Sequence, residues 1–394
     1  MGAHRLVLLL TALGLLGVGC AEEDGGLAAG PDDAPSGQGS ADASPEPDEE
    51  QAGQTTDDAA TPAADEGLLV VSTVAPMADV LARLLGDRGE VRALVPPGMD
   101  SHTYEPRPGD VAPLSRADAF IDSGLDLNPD AVALAEANLP DGAPLVLLGD
   151  EALDPDELST EHWHDHGHGH DHDDEAAHSH DDEGAHSHDD EAGHSHDDEA
   201  GHSHDDEAGV VNPHVWTSVP LVIELAEHAG AVLAELDPDD AEGYVERTTA
   251  YTSELESLDA AIREAVDSLD EGRRKLVVYH DAWAYFGDAY GVEVVAAVQP
   301  SDFSEPSAAD IRDLVDQIRE EDVPAVFGSE EFASDVVAVI AEETDARYVG
   351  DLADDQLPGE PGEEVHSYVG MMATNVGRIV EALGGDAAPL DGFR

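Results

Sequence analysis

One stretch of this chain cannot fold by itself, and it dictates where folding can occur. Residues 162–204 hold fourteen histidines interleaved with aspartate and glutamate and almost nothing apolar. From His170 the stretch runs in eight-residue units: HDHDDEAA, HSHDDEGA, then HSHDDEAG three times. So little apolar surface cannot offset the entropy of ordering the chain, so the segment reads as a mobile loop. Any core must come from the residues before and after it. Imidazole is a ligand for zinc, copper and nickel, and His-x-His in an extended chain puts both rings on one side. Acidity alone would account for the Asp and Glu but not for a repeated His-Ser-His. The loop therefore points to a divalent transition metal, held at many weak places rather than one preorganised site.

Charge narrows the partners. The 394 residues carry a formal charge of −74, with a single lysine, Lys275. Nucleic acid or an anionic membrane surface would be repelled. Acid spread this widely resembles adaptation to high salt, where charge is screened. The one cysteine, Cys20, excludes an internal disulfide framework and any Cys-rich zinc site.

Residues 1–20 read as an export signal. His4 and Arg5 precede an apolar run, Leu6–Leu16, too short to span a bilayer stably. Leu16-Gly17-Val18-Gly19-Cys20 resembles a bacterial lipobox, with Cys20 as the lipidated residue, although Gly17 replaces the usual leucine. Residues 21–66 lack aromatic and basic side chains and read as a disordered acidic tether, with a mean reach of about 35–40 Å.

From Gly67 short apolar runs alternate with helical periods, which predicts βα units and parallel sheets. Strands are expected at Leu68–Val74, Val91–Val95, Ala119–Asp122, Pro144–Leu148, Leu276–Tyr279, Val292–Val298, Ala325–Phe327 and Arg347–Val349. One long helix is expected from Pro238 or Asp239 to Leu269, with apolar positions at Tyr244, Tyr251, Leu255, Leu258, Ile262 and Val266. Ser307 with Asp310 resembles a capping box, and the last helix is expected over roughly Glu364–Leu383. The foldable part, about 270 residues, suits two lobes better than one sheet. The expected division is an α/β lobe over 67–237 with the insert at 155–210, a linking helix over 238–270, and a second α/β lobe over 271–394.

Open parallel sheets bind ligands beyond the carboxyl ends of their strands. His102 follows a strand and a Pro-Pro-Gly turn, His280 follows Leu276–Tyr279 directly, and Asp351 follows Arg347–Val349. His214 sits between a proline and Trp216, where the chain rejoins the folded body. An isolated histidine is more often a surface or hydrogen-bonded residue than a ligand. That plain reading holds for His228 and His366. For His102, His214 and His280 both readings stay open on the residues alone.

These residues carry a resemblance. Pro97-Gly98-Met99-Asp100-Ser101-His102-Thr103-Tyr104-Glu105-Pro106 resembles the first-ligand motif of the metal-specific substrate-binding proteins of ABC importers, the zinc and manganese uptake family. Asn212-Pro213-His214-Val215-Trp216 resembles its second motif, and Tyr279-His280-Asp281-Ala282-Trp283-Ala284-Tyr285-Phe286 its third. Gly350-Asp351-Leu352 stands where that family has a carboxylate ligand, ahead of Tyr368-Val369-Gly370-Met371-Met372. The resemblance spans residues 67–385 and implies two lobes joined by a long rigid helix with a metal site between them. It implies a monomer that serves a permease and an ATPase and is not an enzyme. Its zinc members share the His- and acid-rich loop. Some relatives have a carboxylate beside the first histidine where this chain has Ser101, so Asp351 is the expected fourth ligand, with Asp100 or Glu105 as fallbacks.

Three imidazoles and a carboxylate suit tetrahedral Zn2+ better than manganese, which favours oxygen; the family's manganese members have a carboxylate where His280 stands. The expected ligands are thus His102, His214, His280 and Asp351, with Zn2+ as cargo. A closed protein shell leaves no place for a nucleophilic water, which argues against a zinc hydrolase. A manganese or iron importer component and a histidine-rich surface zinc store or adhesin are the alternatives.

Overall fold

Two four-stranded parallel sheets, each built in the same strand order, organise the protein. The computed structural model describes residues 67–159, 211–299, 306–330 and 335–394. The expected signal, the tether and the histidine segment lie outside the described residues.

In the first lobe the elements run β1 (Leu68–Ser72), α1 (Ala75–Leu85), β2 (Gly89–Ala93), α2 (Val111–Leu114), β3 (Ala119–Asp122), α3 (Pro129–Asn138), β4 (Leu145–Leu147) and α4 (Leu148–Ala152). The sheet order is β2-β1-β3-β4. Two helices follow, α5 (Val219–Leu236) and α6 (Ala241–Asp267). The second lobe runs β5 (Lys275–Val278), α7 (Ala284–Tyr290), β6 (Glu293–Ala297), α8 (Ala308–Glu320), β7 (Ala325–Ser329), α9 (Asp335–Thr344), β8 (Arg347–Leu352) and α10 (Tyr368–Leu383). Its sheet order is β6-β5-β7-β8. All strand pairs are parallel.

The apolar patterns explain the layers. The central strands β3 and β7 are buried on both faces and mostly apolar, as parallel strands covered on two sides require. The outer face of each sheet has its own small core, under α2 and α3 in the first lobe and under α8 and α9 in the second. The inner faces share one continuous core with α1, α5, α6, α7 and α10. Helix α6 buries Tyr244, Tyr251, Leu255, Leu258, Ile262 and Val266, the stripe expected from helical spacing. At 1.5 Å per residue it is about 40 Å long, and it packs against α1, α5 and α10. It is the strut between the lobes.

The ends of elements differ from expectation where local chemistry intervenes. Pro238–Asp240 is a 3-10 turn, so α6 proper starts at Ala241. The Ser307–Asp310 capping box is present at α8. Helix α10 starts at Tyr368, four residues later than expected, because Ser367 caps it through Gly370 N–H. His366 therefore lies ahead of that helix. Strand β8 runs on to Leu352, three residues past the expected end, with an irregularity in its pairing to β7. That extension bears directly on the site. Among the described residues no helix is long and apolar enough to cross a membrane.

Candidate metal centre

His280 lies two residues past the last residue of β5, between β5 and β7, where the strand order of the second lobe reverses direction. Open parallel sheets take their ligands in this crevice, beyond the carboxyl ends of the strands. His102 arrives from the first lobe on an irregular segment after β2. Pro96–Met99 make a turn closed by Met99 N–H to Pro96 O at 3.2 Å, with Gly98 at φ +75°, a left-handed backbone that glycine adopts freely. Asp100 accepts from His102 N–H at 2.8 Å and Thr103 N–H at 3.2 Å, which rigidifies the backbone that carries His102. Asn128 holds this segment from outside. Its Oδ1 caps α3 through Ala131 N–H, while its Nδ2 donates to Ser101 O at 2.6 Å and Tyr104 O at 3.0 Å. His214 stands just before a 3-10 turn, Val215–Thr217, that leads into α5.

These three side chains meet. His214 Nε2 is 2.9 Å from His102 Nε2 and 2.9 Å from His280 Nε2. The fourth member is Asp355: its Oδ1 is 3.5 Å from His214 Nε2 and its Oδ2 is 3.9 Å from His102 Nε2. One donor atom from each residue lies within 4.8 Å of the others. Among the described residues this is the one grouping of three or more such side chains able to hold a metal ion.

Asp351, the expected carboxylate, is elsewhere. Because β8 continues to Leu352, Asp351 is a strand residue on an exposed edge rather than the first residue beyond the strand. Its side chain is 66% exposed and faces Arg378, whose guanidinium is 3.9 Å away and also donates to its backbone carbonyl. The post-strand turn starts at Ala353 and delivers Asp355, whose side chain is 1% exposed. The fallbacks do not join the cluster either: Asp100 caps its own turn and Glu105 is exposed. His228 pairs with Glu151 at 3.3 Å and His366 Nδ1 approaches Pro358 O at 3.2 Å, both away from the cluster.

Polar partners fix how the donors point. Asn212 Oδ1 accepts from His214 backbone N–H at 3.0 Å, so that atom is the oxygen, and it lies 2.7 Å from His214 Nδ1. Nδ1 must then carry the proton, leaving the Nε2 lone pair directed at the cluster, the second-partner arrangement usual for metal-binding imidazoles. Ser101 Oγ donates to Asp355 Oδ2. Asp354, next in chain, accepts from Ser329 Oγ at 2.7 Å, and Asn375 brackets Ala353 with bonds to both its N–H and C=O. The turn carrying Asp355 is thereby braced on both sides.

Burial holds the imidazoles of His102 and His214 well below their ordinary pKa, and the neighbouring histidines push the same way. They are neutral donors at physiological pH. A tetrahedral shell with bonds of about 2.0–2.1 Å has donor–donor edges of about 3.3 Å. The observed 2.9, 2.9, 3.5 and 3.9 Å separations bracket that edge.

Asp355 was within reach of sequence reasoning, since it too follows β8. The missing signal was the true strand end. Ala353-Asp354-Asp355 offers two adjacent carboxylates, and only three-dimensional bracing by Asn375 and Ser101 distinguishes them.

Comparison with known proteins agrees with this architecture. The family model of the zinc-uptake complex component A, periplasmic, matches residues 70–382. The chain is 28% identical over 336 residues to the manganese-binding lipoprotein MntA of Halalkalibacterium halodurans, covering 84% of this chain and 94% of that one. It is 29% identical over 327 residues to the zinc-binding protein TroA of Treponema pallidum, covering 82% and 90%. The solved structure of the Treponema pallidum periplasmic zinc-binding protein TroA superposes with a TM-score of 0.63 at 26% identity, over 80% of this chain and 99% of that one. The chain belongs to this family of metal-specific binding proteins and is the extracytoplasmic substrate-binding component of a metal ABC importer.

Proposed function

We propose that the cargo is Zn2+, held by His102, His214, His280 and Asp355. The observation that carries this is the donor set: three imidazole nitrogens and one carboxylate converging within 4.8 Å of one another, a set that suits four-coordinate zinc. Manganese favours more oxygen donors, and this cluster offers one carboxylate. The relatives' names divide among manganese, zinc and iron, so the donor chemistry is the better guide. Copper would outbind zinc at such a site on intrinsic affinity, so selectivity over copper rests on availability.

The function is capture and handover. The ion joins donors carried by both lobes, and the permease reads the closed arrangement. ATP hydrolysis on separate subunits drives release inward. Helix α6 is buried along one stripe against both lobes, which favours a small change of pose over wide hinge opening. A lipid on Cys20 and the tether would confine the body to the outer face of the membrane. The histidine repeats would collect zinc weakly.

The test is competitive binding. Protein purified without a nickel column and stripped of metal is offered zinc and manganese together. A tight single site that takes zinc in large preference supports the reading; equal or preferential manganese uptake overturns it.

A further inference from the structure

The bonds around the cluster divide its donors differently from the order of the chain. His214 leads into α5, a helix packed on α1 and α4. Asn212 N–H donates back to Ser159 O at 2.9 Å, yet most side-chain hydrogen bonds that tie residues 212–217 to the rest of the fold run to the second lobe. Asn212 Nδ2 donates to Asp281 O at 2.7 Å, and Tyr285 OH donates to Asn212 O at 2.7 Å. Thr217 Oγ1 donates to Ala282 O at 2.9 Å. Trp216 Nε1 donates to Asp354 O at 2.7 Å, and Tyr368 OH donates to Trp216 O at 2.8 Å. These bonds fasten the His214 segment both to the segment carrying His280 and to the turn carrying Asp355. Trp216, Trp283, Tyr285 and Tyr368 are all fully buried around them, so the three donors stand in packed interior.

His102 is set differently. Its segment has no regular structure between Ala93 and Val111, apart from turns. It is the least buried donor, with a side chain 10% exposed. Asn128 clamps it to the first lobe. Across the mouth this segment is tied to the Asp355 turn twice: Ser101 Oγ donates to Asp355 Oδ2 in the interior, and Gln356 makes two exposed hydrogen bonds, accepting from Gly98 N–H at 2.8 Å and donating to Met99 O at 3.3 Å. Met99 itself is 36% exposed.

We propose that the site is built as three plus one: His214, His280 and Asp355 form a standing cup, and His102 is the donor that closes over the ion and leaves first on release. Gln356 is the exposed clasp on that movement, and the Ser101–Asp355 bond is the inner one. This rests on reading the cluster as the zinc site. Zinc held by three protein donors keeps a fourth position for water, so a hydrated ion can enter the cup and then exchange one water for His102. Release reverses one exchange instead of breaking four bonds together. Removing His102 leaves a preorganised site; removing a cup member leaves two fixed donors and one on a movable turn.

The test uses the full chain with one equivalent of zinc or cobalt(II). His102→Ala is expected to weaken zinc binding at least about tenfold less than His280→Ala or His214→Ala, because the cup remains a three-donor site. Its cobalt(II) complex should keep a tetrahedral absorption band that shifts when azide is added, reporting an open position. Gln356→Ala, which removes no donor, should speed zinc loss to a chelator several-fold without altering the cobalt band. Equal losses for His102→Ala and His280→Ala, an azide-insensitive band or an unchanged release rate in Gln356→Ala would each overturn the division. Absence of a tight ion in the unsubstituted chain would instead remove the zinc-site reading, and this proposal with it.

Discussion

Substituting the two competing aspartates separately gives a sharp contrast. Asp355 is buried to 1% exposure, 3.5 Å from His214 Nε2, and would meet a divalent ion with a full charge in a site shielded from water. Taking one partner from a buried charge pair costs about 3–5 kcal/mol. At about 1.4 kcal/mol per decade, that is a loss of roughly a hundred- to several-thousand-fold in zinc affinity. Asp355→Asn retains shape and the contact with Ser101, and Asp355→Ala removes both, so the pair separates charge from packing. Asp351 is 66% exposed and meets Arg378 at 3.9 Å, a surface pair worth less than about 1 kcal/mol. Asp351→Ala should leave zinc affinity within about twofold of the parent, since this carboxylate is outside the cluster. Calorimetric titration against a chelator of known affinity measures both. The reasoning is refuted if Asp351→Ala loses the tight site while Asp355→Asn and Asp355→Ala retain it.

Other outcomes follow from the same geometry. His228→Ala should leave the tight site unchanged in the same titration, because that imidazole pairs with Glu151 away from the cluster. Deleting 162–204 should remove weak zinc equivalents and leave one tight one, read as stoichiometry by elemental analysis. Ile262→Ala, in the fully buried stripe of α6, should lower unfolding free energy by about 2–5 kcal/mol in denaturant titration, and Val245→Ser, on its exposed face, by less than about 0.5 kcal/mol. Burial pushes the Tyr285 phenol up to about 12, against an ordinary value of 10.0. A raised folded value means its stability contribution is complete below pH 10 and declines as pH rises from there towards 12. Ultraviolet titration should show this phenol ionising about two units later in the folded chain than in denaturant. Ionisation near pH 10 in the folded chain would contradict the burial.

The fold was largely legible because parallel sheets write themselves in short apolar runs. Ala119–Asp122 and the stripe from Tyr244 to Val266 could be placed from spacing alone. Three of the four clustered side chains stood at strand ends or where the chain rejoins the body, which left both readings open; the resemblance of the motifs around them is what singled them out. What could not be read was how far a strand runs. Pairing with β7 carries β8 on to Leu352, and pairing partners are a property of the assembled sheet. Likewise nothing in the sequence around Asn128 announces that a helix cap also clamps the His102 segment 27 residues earlier. Gln356, reaching across to Gly98 and Met99, is equally invisible before the lobes meet.

The most direct measurement is an anomalous-scattering map at the zinc edge from a crystal of the zinc-loaded protein. A single strong peak is predicted at bonding distance, about 2.0–2.2 Å, from His102, His214, His280 and Asp355. A peak bound by Asp351, or by side chains outside this cluster, with these four left uncoordinated, would contradict the account.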